Sequence, residues 1–353
     1  MLINLAGGFL DLGCKVEMLL LKQKSAYLKQ MPKDISVRTF KAKHAKTALP
    51  ELIYYLKTRQ PDALLSAKHR PNQTAILAKL LSSVDTRITL RLGTTTSAAI
   101  QGQSLLKWLS WKAGMRFTYP RADEVIAVSQ GVAQDIAMLS GMDIKKINVV
   151  PNPVITKDIY QKAKEQPNHP WLNKKDKIVI VGAGRLTRQK DFSTLIKAFA
   201  EVRKEKDARL LIMGEGKKRT ELEELIKSLH IEDSVDLAGF VPNPYPIMAR
   251  SDLFVLSSLW EGSPNVLTEA MALGTPVVST DCPSGPKEIL MGGKIAPLVP
   301  MQNYKALAQA MLNQLESPTP SHILKSAVKN YSVEESSKRY LEIMLGKGAF
   351  VEC

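Results

Sequence analysis

Cysteine is nearly absent: Cys14, Cys282 and Cys353 are an odd number at wide spacing in 353 residues, which excludes a disulfide framework and a zinc cluster. A reducing cytoplasm is the simplest home for such a chain. No apolar run reaches the roughly 18 residues that a membrane span needs, and the opening MLINLAGGFLDLG lacks the basic region and cleavage site of a secretory leader. The expected location is therefore cytoplasmic. Aromatic residues amount to 6% of the chain and no known nucleic-acid module is present, so nucleic acid is not expected as a partner. What remains is an ordinary globular composition, 44% hydrophobic and 24% charged, long enough for two domains.

Acidic residues are scarce in the first half. Residues 1–170 hold 25 Lys and Arg against 12 Asp and Glu, whereas residues 171–353 hold 24 against 22. A basic field confined to one half suits an anionic leaflet or a phosphorylated acceptor, although it is also compatible with a merely soluble surface.

Short β-branched runs alternate with amphipathic stretches, the pattern of βα units and parallel sheets. One set of strands is expected at 15–21, 63–66, 87–92, 124–128 and 147–150, and a second at 178–181, 209–213, 234–237, 253–256 and 276–279. Ser129 reads as a helix N-cap. The polar, proline-bearing stretch between the sets carries no strong period. The expected division is a domain over 1–155, a linker over 156–175, a second domain over 176–330, and a final helix within 331–353 packing back toward the first domain. The chain opens on a helix, Leu2 to Leu12, where a doubly wound domain normally opens on a strand and a glycine turn, so an initial strand is read as missing.

Two segments carry the chemistry. After the strand ending at Val181 comes Gly182-Ala183-Gly184-Arg185-Leu186-Thr187-Arg188-Gln189-Lys190. The third glycine of G-x-G-x-x-G would fall at Thr187, which argues against a dinucleotide fingerprint. The turn instead delivers Arg185 and Lys190, a forked and a compact cation suited to a diphosphate, although loop cations are often merely solvated. Farther on, Ser263 reads as an N-cap, Pro264 as the first helical residue and Gly274 as the residue after the last turn. The amides of Asn265, Val266 and Leu267 then form the positive end of a short helix. Glu269 follows on the same helix, a carboxylate that needs donors such as ribose hydroxyls, or a basic or backbone partner, to offset its desolvation. Glu261, in the preceding loop, can accept from sugar hydroxyls.

These motifs, with Gly214-Glu215-Gly216, Gly239-Phe240-Val241, Ala270 to Val278, Gly285 to Ile289, Val128-Ser129-Gln130 and Pro151-Asn152-Pro153, resemble the family 4 retaining glycosyltransferases of bacterial glycan and lipopolysaccharide synthesis. The resemblance implies an α/β chain of GT-B fold, two doubly wound Rossmann-like domains facing across a cleft. It implies a hexosyl or N-acetylhexosaminyl transferase that takes a nucleotide-diphosphate sugar, UDP before GDP, and passes it with retention to a glycan or lipid-linked acceptor. It assigns Arg185, Lys190 and Glu261 to catalysis, and Gly184, Gly214, Gly216, Val241, Asn265, Val266, Leu267 and Glu269 to the donor. No metal and no cofactor are expected, and no Asp-x-Asp pair occurs to hold a divalent ion between phosphates.

Two departures stand out. Gly93, beside Thr94, occupies the strand-end position where many members carry a sugar-contacting histidine, and His69 ends a neighbouring strand where it could face the cleft or serve only structure. With the absent first strand, they motivate a rival reading, a GT-B subunit that binds nucleotide sugar but is catalytically impaired. Leu105 to Phe117 mixes Leu, Trp, Met and Phe with Lys and Arg, the composition of an interfacial helix or of a core helix with a basic outer face. Peripheral contact with the anionic inner leaflet is the corresponding expectation.

Overall fold

The computed structural model describes residues 1–21, 31–167, 169–173 and 176–346. Cys353 and the end of the final 331–353 segment lie outside them. The chain divides into two units, one built from Met1–Pro153 together with the chain from Ser332 on, the other from Val154–Tyr331.

In the first unit, β1 (Glu17–Leu20) pairs in parallel with β2 (Ser36–Thr39). A separate parallel sheet runs β3 (Ala63–Ala67), β4 (Arg87–Leu92), β5 (Glu124–Ala127) and β6 (Ile147–Val149) in that order. Alternation along β4 and β5 splits the apolar side chains between two faces. Ile88, Leu90, Leu92, Val125 and Ala127 join one core with Ile76, Ile136 and Tyr119. Ile126 joins the other, where it meets Leu5 and Phe9 of the Leu2–Asp11 helix and Tyr340 and Leu341 of the Val333–Leu345 helix. The Val333–Leu345 helix thus covers the first unit's sheet, and Arg87 Nε donates to the Met344 carbonyl at 2.8 Å. Ser129 accepts from the Val132 amide at 3.3 Å, capping the Gln130–Ser140 helix as its sequence suggests.

The second unit holds one parallel six-stranded sheet in the order β12 (Leu298–Val299), β11 (Val277–Thr280), β10 (Leu253–Leu256), β7 (Ile178–Ala183), β8 (Ala208–Met213), β9 (Val235–Gly239). Strand order reverses between β7 and β10, which creates a switch point where the loops leaving both strands part to opposite faces. Phe192–Glu205 forms a helix because its apolar residues recur every three or four positions; Leu195, Ile196, Phe199 and Val202 are all buried against Ile180, Leu210 and Ile212. Each such side chain contributes roughly 1.5 to 3 kcal/mol. On the opposite face Leu267, Ala270 and Met271 of the Asn265–Leu273 helix pack on Val181, Phe254 and Leu256.

The linker expected at 156–175 is corrected by this arrangement. Its residues belong to the second unit and carry the helices Ile159–Ala163 and Pro170–Asn173. They are tied down there by Arg250, which donates to the Ala163 and Lys164 carbonyls, by Asn243 donating to the Lys162 carbonyl, and by His169 Nε2 at 2.9 Å from Asp236 Oδ2. Four- and five-residue helices are too short to show a period in the sequence, which is why the stretch read as featureless.

Candidate active site

The loops leaving β7 and β10 at the switch point carry the chemically distinctive groups. After β7 the backbone passes through Gly184 at φ +152°, and a Cβ there would lie 2.8 Å from Lys190 Cε. Gly214, after β8, sits at φ +148°, and a Cβ would lie 1.8 Å from the Gly184 carbonyl oxygen. Only glycine permits this approach of two strand-end backbones. The Gly184 amide donates to the Met213 carbonyl at 2.9 Å and the Gly214 amide to the Gly239 carbonyl at 2.7 Å, and the Leu186 amide donates to the Glu215 carbonyl at 3.0 Å. Gly216 passes as closely over Leu186, with a Cβ position 2.3 Å from that carbonyl oxygen. The result is a closely packed floor of backbone at the carboxyl ends of β7, β8 and β9.

Over this floor stands Lys190, which ends the single turn Arg188–Lys190. Its Nζ lies 2.6 Å from Glu261 Oε1, and Ser258 Oγ donates to the same oxygen at 2.7 Å. Glu261 is 7% exposed, so its charge is offset by the ammonium and the hydroxyl rather than by bulk water. The two loops are stitched together by backbone and side chain. Ser257 Oγ donates to the Lys190 carbonyl at 2.8 Å, the Leu259 amide to the Gln189 carbonyl at 2.8 Å, and Gln189 Nε2 to the Trp260 carbonyl at 2.9 Å. Lys190 and Glu261, 71 residues apart in sequence, are therefore held as one rigid pair. Arg185 lies beside them in the chain, exposed, with no ion pair among the described residues.

Glu269 projects from the second turn of the Asn265–Leu273 helix and receives a long hydrogen bond from Tyr245 Oη at 3.4 Å. Burial pushes its carboxyl up to about 7, against smaller opposing pulls from Tyr245 and from Lys190. A carboxylate so placed stays ionised only when donors reach it. The charge of Glu269 in turn helps burial raise the Tyr245 phenol far above its ordinary range.

Two details of this helix differ from expectation. Pro264, not Ser263, stands at the N-cap, with no side-chain cap, and Gly274 closes the helix in the left-handed region as expected. Leu267 is not an anion donor: its amide already donates to the Pro264 carbonyl at 3.1 Å and its side chain is fully buried in the core. The first turn is tightened by that bond, as helix ends often are. Asn265 and Val266 remain half-buried at the helix start. Val241 packs against the core facing that helix, while its neighbour Phe240 is 57% exposed.

The first-unit candidates fall into two groups. Gly93 and Thr94 follow β4 and are exposed. His69 begins the His69–Ser82 helix and stacks on Trp111 with ring centroids 4.1 Å apart and planes 15° from parallel. Burial, aided by Arg70, drops its imidazole to about 4, and its enclosed Nδ1 has no partner among the described residues. It is a packed side chain whose burial favours the neutral form. Residues that sequence reading passed over are Ser257, Ser258, Gln189 and Tyr245. Two serines closing a wholly buried apolar strand were the available signal, since buried hydroxyls must find partners; nothing local marks Tyr245.

Comparison with known proteins identifies the family and the fold. The profile described as Glycosyltransferase Family 4 matches residues 1–158, and that of Glycosyl transferases group 1 matches residues 163–331. The chain is similar to the Campylobacter jejuni N-acetylgalactosamine-N,N'-diacetylbacillosaminyl-diphospho-undecaprenol 4-alpha-N-acetylgalactosaminyltransferase, with 31% identity over 80% of this chain and 73% of that one. It is similar to the amylovoran biosynthesis glycosyltransferase AmsD of Erwinia amylovora, with 28% identity over 80% of this chain and 75% of that one. Among solved structures, Anabaena HepE in complex with UDP superposes with a TM-score of 0.78 at 19% identity, over 97% of this chain and 94% of that one.

Proposed function

The chain belongs to the family 4 type glycosyltransferases and has their GT-B fold, and from that premise we propose that its second unit binds a UDP-sugar at the β7/β10 switch point and transfers the sugar with retention to a glycan or lipid-linked acceptor. The observation that carries this reading is the Lys190–Glu261 pair, a cation fixed 2.6 Å from a buried carboxylate above a glycine floor.

Each group has a chemical task. Arg185 and Lys190 neutralise the charge that grows on the departing diphosphate, Arg185 as a fork and Lys190 as a point charge held in register by Glu261. A carboxylate oxygen of Glu261 not engaged by Lys190 accepts from hydroxyls of the transferred sugar. The missing side chains at Gly184, Gly214 and Gly216 let phosphate and base approach the backbone closely. Glu269 accepts from ribose hydroxyls, which supply the donors its burial calls for. On this reading the acceptor oxygen bonds to the anomeric carbon on the face the diphosphate leaves, and the acceptor proton passes to a leaving phosphate oxygen. No protein nucleophile is involved. Because two side-chain cations already serve the leaving group, we expect turnover to persist in EDTA.

UDP is favoured over GDP because the Anabaena neighbour was crystallised with UDP, and a lipid-linked acceptor in polysaccharide or lipopolysaccharide synthesis because the Campylobacter relative is named for an undecaprenol-diphosphate substrate and the Erwinia relative for amylovoran. The Leu105–Thr118 helix supports peripheral contact with an anionic membrane. Leu105 and Leu106 are 71% and 80% exposed, Leu109 and Phe117 about half, and Lys107, Lys112 and Arg116 lie among them. Among the described residues no helix is long and apolar enough to cross a membrane.

Calorimetric titration of UDP into wild type, Lys190→Ala and Glu269→Ala tests the donor site. Both variants should bind at least about tenfold more weakly. Equal affinity in all three would place the site elsewhere.

A further inference from the structure

The first unit contains a buried cation that the donor site does not use. Arg91 lies near the carboxyl end of β4, 6% exposed, on the sheet face covered by the Leu2–Asp11 and Val333–Leu345 helices. Its Nε donates to Tyr340 Oη at 3.0 Å and its Nη2 to Asn152 Oδ1 at 2.6 Å. Both partners are neutral. Among the described residues no carboxylate pairs with it, so a permanent cation is withdrawn from water with two neutral acceptors to hold it. Its Nη1 carries no hydrogen bond among the described residues. That nitrogen lies 2.9 Å from where a Cβ on Gly93 would stand, and Gly93 is exposed. The missing side chain at 93 leaves Nη1 at the mouth of the strand end, the edge of a doubly wound sheet where ligands approach. Any larger residue at 93 would compete with the guanidinium for this space.

We propose that Arg91 Nη1, uncovered by Gly93, is an oxyanion site of the first unit that receives a phosphate or carboxylate group of the acceptor. The geometry resembles half of a fork: Nε and Nη2 are spent on locking the guanidinium plane, which leaves Nη1 pre-aimed, so little side-chain freedom is lost when an anion arrives. The same arrangement accounts for the glycine at 93. A fixed cation reaches the position that a side chain at 93 would otherwise fill. The proposal rests on first-unit residues alone and does not depend on where UDP binds.

The test uses the full chain and three soluble probes, methyl phosphate, glucuronate and methyl glucoside, titrated with and without saturating UDP. Wild type should bind at least one of the two anions in preference to the neutral glycoside. Arg91→Gln should lose at least about tenfold of that affinity. Because Arg91→Gln also disturbs the Asn152 and Tyr340 contacts, Gly93→Ala is the second variant. It crowds Nη1 while keeping Asn152 and Tyr340 in place, and should lose anion affinity with a smaller fall in melting temperature than Arg91→Gln. Lys190→Ala should keep the anion site while losing UDP. Phosphate as the tighter anion points to a lipid-linked phosphate, glucuronate to an acidic sugar. Unchanged anion binding in both Arg91→Gln and Gly93→Ala would overturn the proposal, as would loss that follows Lys190→Ala instead, or equal binding of the glycoside. If UDP binds nowhere yet the anion still follows Arg91, the donor reading fails and this one stands.

Discussion

Lys190 Nζ and Glu261 Oε1 stand 2.6 Å apart, and each closes a different strand's exit loop at the place where strand order reverses. Both side chains are at least 85% withdrawn from solvent, 15% and 9% exposed. Removing one partner therefore takes away the ion pair that offsets a mostly buried charge.

Lys190→Ala should destabilise the fold by about 3 kcal/mol through loss of the ion pair that offsets the buried Glu261 charge. Lys190→Met with Glu261→Gln should recover most of that stability and none of the turnover. Urea unfolding of the single and double variants checks this; a double variant as unstable as the single one would mean that the pair is not what links the loops energetically.

Glu269 should make stability depend on pH, and donor binding too if it holds the ribose as proposed. Its folded pKa, about 7, lies above the ordinary 4.5, so the folded state holds the extra proton between these values. The sign follows: its stabilising contribution is complete below pH 4.5 and is lost as pH rises toward 7. Ribose hydroxyls favour the ionised form, so UDP binding near neutral pH should release a proton. Titration in buffers of different ionisation enthalpy measures the release, and Glu269→Gln should abolish it. Proton uptake, or no linkage in wild type, would remove Glu269 from the ribose.

His69 should not titrate near neutral pH. With its imidazole lowered from 6.5 to about 4, the folded state binds fewer protons than the unfolded chain in that window, and the stability it confers is complete above 6.5 and fades as pH falls to 4. His69→Phe should preserve stacking on Trp111 and keep turnover within about threefold, consistent with a packing role. A tenfold loss with a shifted pH profile would restore it as a sugar contact.

Gly214→Ala should be among the most damaging single changes, since its Cβ would meet the Gly184 carbonyl oxygen at 1.8 Å on a backbone at φ +148°. Loss of several kcal/mol, about 3 or more, is expected together with loss of UDP binding. Soluble yield and melting temperature report the first, calorimetry the second.

The double change Leu105→Glu with Leu106→Glu alters two side chains that are mostly exposed, so the melting temperature should hold. Flotation with vesicles containing anionic lipid should fall by half or more if this helix touches the membrane. Flotation that is equal for wild type and variant, or absent for both, would leave the helix without that role.

Much of the local structure around the candidate site was legible in advance for a physical reason: strand, turn and cap signals are set by neighbours in sequence. A strand, a glycine turn and the cations Arg185, Arg188 and Lys190 within 13 residues, 178–190, reveal themselves by adjacency, as do the Gly274 stop and the Ser129 cap. Leu267 misled because a tightened first turn consumes an amide that an ideal helix would leave open. The short helices inside 156–175 misled because one helical turn carries no period.

Composition and pattern alone thus determined that this chain is an α/β protein of two units whose second half presents paired cations and carboxylates, because periodicity and capping are properties of neighbours in sequence. Which of those groups meet was decided only in three dimensions. Lys190 finds Glu261, Glu269 finds Tyr245, and Arg91 finds Tyr340 across 249 residues, because strand order and helix packing, not sequence separation, set the distances over which charge and hydrogen bonding act.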